Sequence, residues 1–197
     1  VKRLLAGALA LAWTLPALAY TPADGDIIFH TSRSAQSLAV QKATGSRYSH
    51  MGLIFLRQGR PFVLEAVNPV KYTPLDEWQA RGKDGRYVIK RLAQPLATAD
   101  MARVRHEAEK FLGRPYDLTF EWSDKRIYCS ELVWKAYFRA AGLRIGKTQE
   151  LRAFRLDDPA VAQKMRERYG KRVPLAETVI APVAVFDSPL LTQVETH

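Results

Sequence analysis

The strongest constraint on what this chain can fold into is the stretch Tyr128-Cys129-Ser130-Glu131-Leu132-Val133-Trp134-Lys135-Ala136-Tyr137. Counting from Cys129, apolar or small residues recur at Leu132, Val133, Ala136, Tyr137 and Ala140, the spacing of one face of an amphipathic helix. Gly142 follows Ala141, where the end of such a helix favours a residue that tolerates positive φ. Cys129 therefore falls in the first turn, with its side chain toward whatever the helix packs on. There it meets unpaired backbone N–H groups and the positive end of the helix dipole, a setting in which cysteines become nucleophiles. The competing reading is a buried structural cysteine, since free Cys is among the most buried residue types.

Cys129 is the only cysteine in the chain, so no internal disulfide can form. That matters because the first nineteen residues read as an export signal. Lys2 and Arg3 make a short basic start, Leu4 to Leu18 is mostly Leu and Ala, and Ala17-Leu18-Ala19 fits a cleavage site before Tyr20. The apolar run is short for a membrane span, which leaves an uncleaved anchor as the weaker alternative. The expectation is a signal peptide over residues 1–19, a single domain over residues 20–197, and a secreted or periplasmic mature protein. A lone thiol in an oxidising compartment is a liability unless it is buried or used.

The chain is 197 residues long, with 47% hydrophobic and 25% charged residues, which suits an ordinary globular protein with a real core. Its formal charge is +10. Much of the excess lies between Arg139 and Arg172, including Arg144, Lys147, Arg152, Arg155, Lys164, Arg166, Arg168 and Lys171. Such a surface attracts an anionic envelope surface or lipid headgroups, or it serves solubility alone. No helix–turn–helix, finger or aromatic-basic motif is present, so no nucleic-acid partner is expected. There is no Cys pair, no His-x-x-x-His and no Asp-rich loop, so neither a metal site nor a cofactor is expected. The Gly-x-Ser-x-Gly elbow and the glycine-rich phosphate loop are also missing. Oligomeric state is not legible.

Hydropathy and turn signals outline the elements. Strands are expected at Ile27–His30, Tyr48–Arg57, Phe62–Val67, Tyr87–Leu92 and, despite Pro182, Val179–Phe186. Helices are expected from a Ser34 cap to Thr44, from Thr98 or Asp100 to Leu112, and over a basic segment from about Asp157 to Tyr169. Pro69 to Gly85 reads as irregular, with a helical turn at Pro74–Trp78. Without a βαβ rhythm, the pattern points to an α+β fold with a mainly antiparallel sheet.

A cysteine nucleophile needs a base, and the base needs an orienting acceptor. Of four histidines, His197 is terminal, His106 lies among charged helix residues, and His30 ends a strand where it can line a cleft. His50 starts a strand and has Glu65 on the neighbouring arm, which makes it the best base. Register decides whether the two meet. A three-residue turn turns Glu65 away from His50, whereas a two-residue turn at Gln58-Gly59 sets Glu65 opposite Gly52 on the His50 face. Both registers remain open from the sequence.

The ordered set Gly25-Asp26-Ile27-Ile28-Phe29, Tyr48-Ser49-His50-Met51-Gly52-Leu53-Ile54, Val63-Leu64-Glu65-Ala66, Gly113-Arg114-Pro115-Tyr116-Asp117 and Tyr128-Cys129-Ser130-Glu131-Leu132-Val133 resembles the circularly permuted NlpC/P60 hydrolases. The closest branch is the YiiX/YaeF-like group, with relatives in a poxvirus protein and, more distantly, the lecithin–retinol acyltransferase family. The resemblance implies a papain-like fold, with the sheet packed on the Cys129 helix and with histidine and acid preceding the cysteine. Carried over, Cys129 is the nucleophile, His50 the base and Glu65 its orienting residue. Tyr116 and His30 are candidate oxyanion or substrate-binding groups, and Tyr48, Trp78, Phe120 and Trp122 candidate cleft aromatics. The expected activity is that of a secreted cysteine hydrolase of the amidase or peptidase class, cleaving an amide or ester bond through a thiol-acyl intermediate. Its substrate is expected to be a peptidoglycan peptide or an acyl-amide lipid. The alternatives are a lipid-directed acyl hydrolase or acyltransferase, and a non-catalytic envelope-binding module.

Overall fold

A computed structural model describes residues 20–197; the expected signal peptide lies outside the described residues. In chain order the elements are β1 (Ile27–His30), α1 (Ala35–Thr44), β2 (His50–Arg57), β3 (Arg60–Glu65), β4 (Lys71–Pro74), α2 (Leu75–Ala80), β5 (Tyr87–Leu92), α3 (Thr98–Glu109), α4 (Cys129–Ala141), β6 (Gln149–Glu150), α5 (Pro159–Tyr169), β7 (Thr178–Val179), α6 (Pro182–Phe186) and β8 (Leu191–Thr196). Six strands form one sheet in the order β4-β3-β2-β1-β5-β8, every neighbouring pair antiparallel. The two short strands β6 and β7 pair separately. The fold is α+β and mainly antiparallel. Among the described residues no helix is long and apolar enough to cross a membrane.

Alternation along the strands sorts the sheet into two faces. Ile27, Phe29, Met51, Leu53, Phe55 and Leu64 join the core shared with Val104 and Ala108 of α3 and Leu132, Val133 and Ala136 of α4. On the opposite face Ile28, Ile54, Val63 and Ile89 pack with Leu75 and Trp78 of α2. His30, His50 and Glu65 alternate with the first set, so they belong to the α2 face.

The hairpin register is set by the turn. Arg57 pairs with Arg60 and Leu53 with Leu64 across a two-residue turn at Gln58-Gly59, whose φ values are 51° and 76°. Positive φ at both central positions is the turn whose twist suits a hairpin. The open question of register is thereby answered in favour of Glu65 on the His50 face. Gly52 lies opposite, and a Cβ built there would come within 2.5 Å of Val63 Cγ1 and 2.9 Å of the Leu64 carbonyl oxygen.

Helix α4 is buried more deeply than a single apolar face requires, because every residue from Cys129 to Tyr137 is buried. Burial of each Leu or Val contributes about 1.5–3 kcal/mol, and the polar members of the run find partners. Ser130 Oγ donates to the Ile180 carbonyl at 2.7 Å, and Lys135 Nζ sits 2.6 Å from Glu131 and donates to the Ser123 carbonyl at 2.8 Å. Burial pushes the Glu131 carboxyl up to about 8 even though Lys135 opposes the shift.

Three expectations are corrected. Val179–Phe186 is not a strand: pairing stops at Val179, and Pro182 opens α6, where a missing N–H costs nothing. The irregular Pro69–Gly85 stretch contains β4, which is paired to β3. Helix α3 stops at Glu109 rather than Leu112. Strand β8, which the sequence reading did not foresee, closes the sheet against β5. Gly52→Ala is expected to destabilise the fold by about 1–3 kcal/mol through overpacking, read as a lower urea midpoint with an unchanged m-value.

Candidate active site

His50 is the first residue of β2, at the end of the sheet, and this position lets its ring face two ways. Nε2 lies 2.7 Å from Glu65 Oε2 on the adjacent strand. The other nitrogen, Nδ1, is left for the thiol of Cys129, which α4 brings round the sheet's end from the opposite face. Burial draws the imidazole pKa down, but hydrogen bonds and charge from Cys129 and Glu65 outweigh it and raise it to about 9.

Glu65 is wholly buried and its two oxygens are surrounded by donors. Besides His50, Thr73 Oγ1 donates to Oε1 at 2.7 Å, Trp78 Nε1 donates to Oε2 at 2.9 Å, and Arg81 pairs with Oε1. Burial alone would raise this carboxyl; the contacts to His50, Thr73 and Arg81 lower it to about 2. It is therefore ionised at any ordinary pH. Thr73 and Trp78 come from β4 and α2, the stretch that read as irregular.

The remaining expected residues divide. Tyr116 lies in the loop between α3 and α4, next to the strand-like bridge of Tyr116 with Ile127, and burial followed by the nearby Cys129 raises its phenol well above the usual range. It stays a protonated donor beside the sulfur. His30 is 2% exposed, stacks on Trp78 with centroids 4.0 Å apart, and is held neutral, its pKa lowered to about 3 by burial and then by His50 and Arg81. It walls the cleft next to His50. Tyr48 is not brought to the site; it stacks on Phe186 at 4.1 Å and meets the edge of Phe29. Trp122 also lies apart, against Trp134 at 5.3 Å, whereas Phe120 packs on Tyr128 and borders Cys129.

Gln36, on α1, is a residue that sequence reasoning missed. Its carboxamide is buried beside the Tyr116 phenol, and it borders both the cavity next to Cys129 and the cleft next to His50. The sequence carried no signal for it, since nothing local distinguishes Gln36 from a solvated helix residue. Chemically, the centre offers a thiol at a helix N-terminus, an imidazole locked by a carboxylate, and amide and phenol donors beside the sulfur.

Residues 21–195 match the family described as "permuted papain-like amidase enzyme, YaeF/YiiX, C92 family". The chain is 50% identical over 186 residues to YiiX, an uncharacterized protein of Escherichia coli K12, covering 94% of this chain and 92% of the relative. It is also similar to a crystal structure of the metalloprotein YiiX from Escherichia coli O157:H7, at 50% identity and a TM-score of 0.87. That match covers 90% of this chain and 99% of the other.

The two titrations have opposite signs. A raised imidazole pKa means that the stability from His50 is complete below about pH 6.5 and is lost as pH rises through about 9. The lowered Glu65 pKa means that its contribution holds above the ordinary 4.5 and is lost only as pH falls toward 2. Imidazole NMR is expected to show His50 protonated until about pH 9 while His30 stays neutral down to about pH 3. Glu65→Gln should bring the His50 midpoint down.

Proposed function

The chain belongs to the YaeF/YiiX family of permuted papain-like amidases, and from that premise we propose that it hydrolyses an amide or ester bond through a thioester on Cys129. The observation that carries this reading is the imidazole of His50, held between the Glu65 carboxylate and the thiol at the start of α4. In the first step, with the proton already on His50, the Cys129 sulfur attacks the substrate carbonyl carbon. The carbonyl oxygen takes up negative charge, and the Cys129 backbone N–H, the Gln36 amide and the Tyr116 hydroxyl are the donors available to it. His50 returns the proton to the leaving amine or alcohol as the carbon–nitrogen or carbon–oxygen bond breaks. Water, deprotonated by His50, then adds to the thioester and releases the acid and the free thiol. Glu65 remains ionised throughout and keeps the ring in register.

The name metalloprotein applies to the Escherichia coli O157:H7 relative. Among the described residues here, no three His, Cys, Asp or Glu side chains converge as ligands. His50 and Glu65 are also committed to each other, so the donor set does not fit a metal ion and no step is routed through one. In this reading residues 1–19 direct export, the mature protein acts in the cell envelope, and its basic surface rests against anionic envelope polymers or lipids.

Turnover of chromogenic acyl amides and esters by the purified protein tests the proposal. Cys129→Ala is expected to abolish activity, and His50→Ala to lower kcat/KM by about 10²–10⁴. Activity should also decline as pH passes about 9, where the imidazolium that protonates the leaving group loses its proton. Alkylation of Cys129 by iodoacetamide should slow in His50→Ala; labelling that is slow in both proteins would instead favour a binding module with an inert thiol.

A further inference from the structure

A charge imbalance marks the side of the site that faces His50. An open cleft there is lined by His30, Ser32, Arg33, His50, Asn68 and Arg81. No aspartate or glutamate is among the described residues that line it, so two guanidiniums share a cleft with no acid of its own. They are also neighbours, since Arg33 Nη2 lies 3.5 Å from the carbonyl oxygen of Gly82, the residue after Arg81. Arg81 gives one arm to Glu65, but its side chain is 44% exposed and the rest of its donor fork is left to the cleft. Arg33 is exposed and forms no ion pair among the described residues.

Helix α1 adds to the same field. It starts at this cleft, with Ser34 and Gln36 in the wall, and its first turn carries no acidic side chain to offset the positive end of its dipole. His50, protonated at neutral pH, brings a further charge of the same sign. His30 supplies an independent observation. It is 2% exposed and lines the cleft, yet neither ring nitrogen has a partner in the protein. A buried imidazole left unpaired costs free energy that a polar occupant of the cleft would recover. A cleft walled by one sign of charge concentrates counter-ions, and the planar fork of arginine matches carboxylate and phosphate. The leaving group of the proposed reaction departs on this side, because the proton it takes comes from His50.

We propose that the cleft is a subsite for an anionic group, carboxylate or phosphate, carried by the leaving portion of the substrate, with Arg33 and Arg81 as its main contacts. This rests on the thioester reading and narrows the substrate to acyl amides or esters whose amine or alcohol portion is acidic. The acyl carbon–nitrogen or carbon–oxygen bond breaks after the sulfur–carbon bond forms, and the leaving group takes the His50 proton and departs with its anion. Water then releases the acid and restores the thiol. An amine or alcohol without an anion would leave both guanidiniums facing solvent.

The test varies only the leaving group: butanoyl esters of p-hydroxybenzoate, p-hydroxyphenyl phosphate and p-hydroxybenzamide are hydrolysed by the purified protein. Each kcat/KM is divided by the rate with hydroxide, which removes differences in leaving-group strength. At least one anionic ester is expected to exceed the carboxamide by about tenfold or more, and the faster of the two names the anion. Equal values for all three overturn the proposal. Arg33→Gln should cut that lead severalfold and Arg33→Glu should abolish it. A lead untouched by both, in variants folded by circular dichroism, overturns the assignment to this cleft. A second readout needs no turnover: relative to free cysteine, Cys129 should favour iodoacetate over iodoacetamide, and Arg33→Gln should weaken that preference. A preference that Arg33→Gln leaves intact comes from the His50 imidazolium alone and counts against the subsite. Arg33-dependent alkylation with no ester hydrolysis upholds the subsite and overturns the hydrolase reading; hydrolysis indifferent to charge does the reverse.

Discussion

A buried carboxylate organises this molecule. Glu65 has no exposed surface, and an ionised group in that position is tolerated only when its oxygens are fully engaged. Its partners come from separate places: His50 from β2, Thr73 from β4, Trp78 from α2 and Arg81 just beyond it. Each is bound to its position by that demand. A slip of one residue in the β2–β3 pairing would turn the charge into the opposite, hydrocarbon core, so the carboxylate enforces the register that the Gln58-Gly59 turn permits.

Much of this was legible in the chain. The spacing after Cys129 gave the helix and its end at Gly142, and Ser34 caps the helix it was expected to cap. What escaped has physical reasons. Periodicity reports one buried face, yet α4 is enclosed on several sides, because the segment around Ile180 covers Ser130 and the Trp122–Asp124 loop covers Lys135, positions outside the apolar stripe. Strand β4 carries Lys71 and Tyr72 beside Pro74, a composition that local propensity assigns to a loop, and only pairing with β3 makes it a strand. Strand β8 is polar over most of its length, as befits a sheet edge, and polarity concealed it. A proline inside an apolar run was read as a strand defect when it was a helix start.

The site was legible in part for the same reason. His50 and Glu65 share a hairpin, so chain proximity announces them, and the lone Cys129 announces itself by helix position. Gln36 and Thr73 act through tertiary placement alone. Their side chains are unremarkable in sequence, and only the assembled cavity, or the buried charge, gives them meaning.

The position of His50 on a short-range hairpin has a further consequence. Every donor to Glu65 lies between His50 and Arg81, so imidazole and carboxylate come together by closing short loops, whereas the sulfur arrives only when α4 docks across the sheet from far along the chain. The two halves of the centre therefore have different kinetic origins. A lesion that loosens α4 parts the sulfur from an imidazole that is still assembled, so the hairpin's own geometry is a poor gauge of whether the centre is whole.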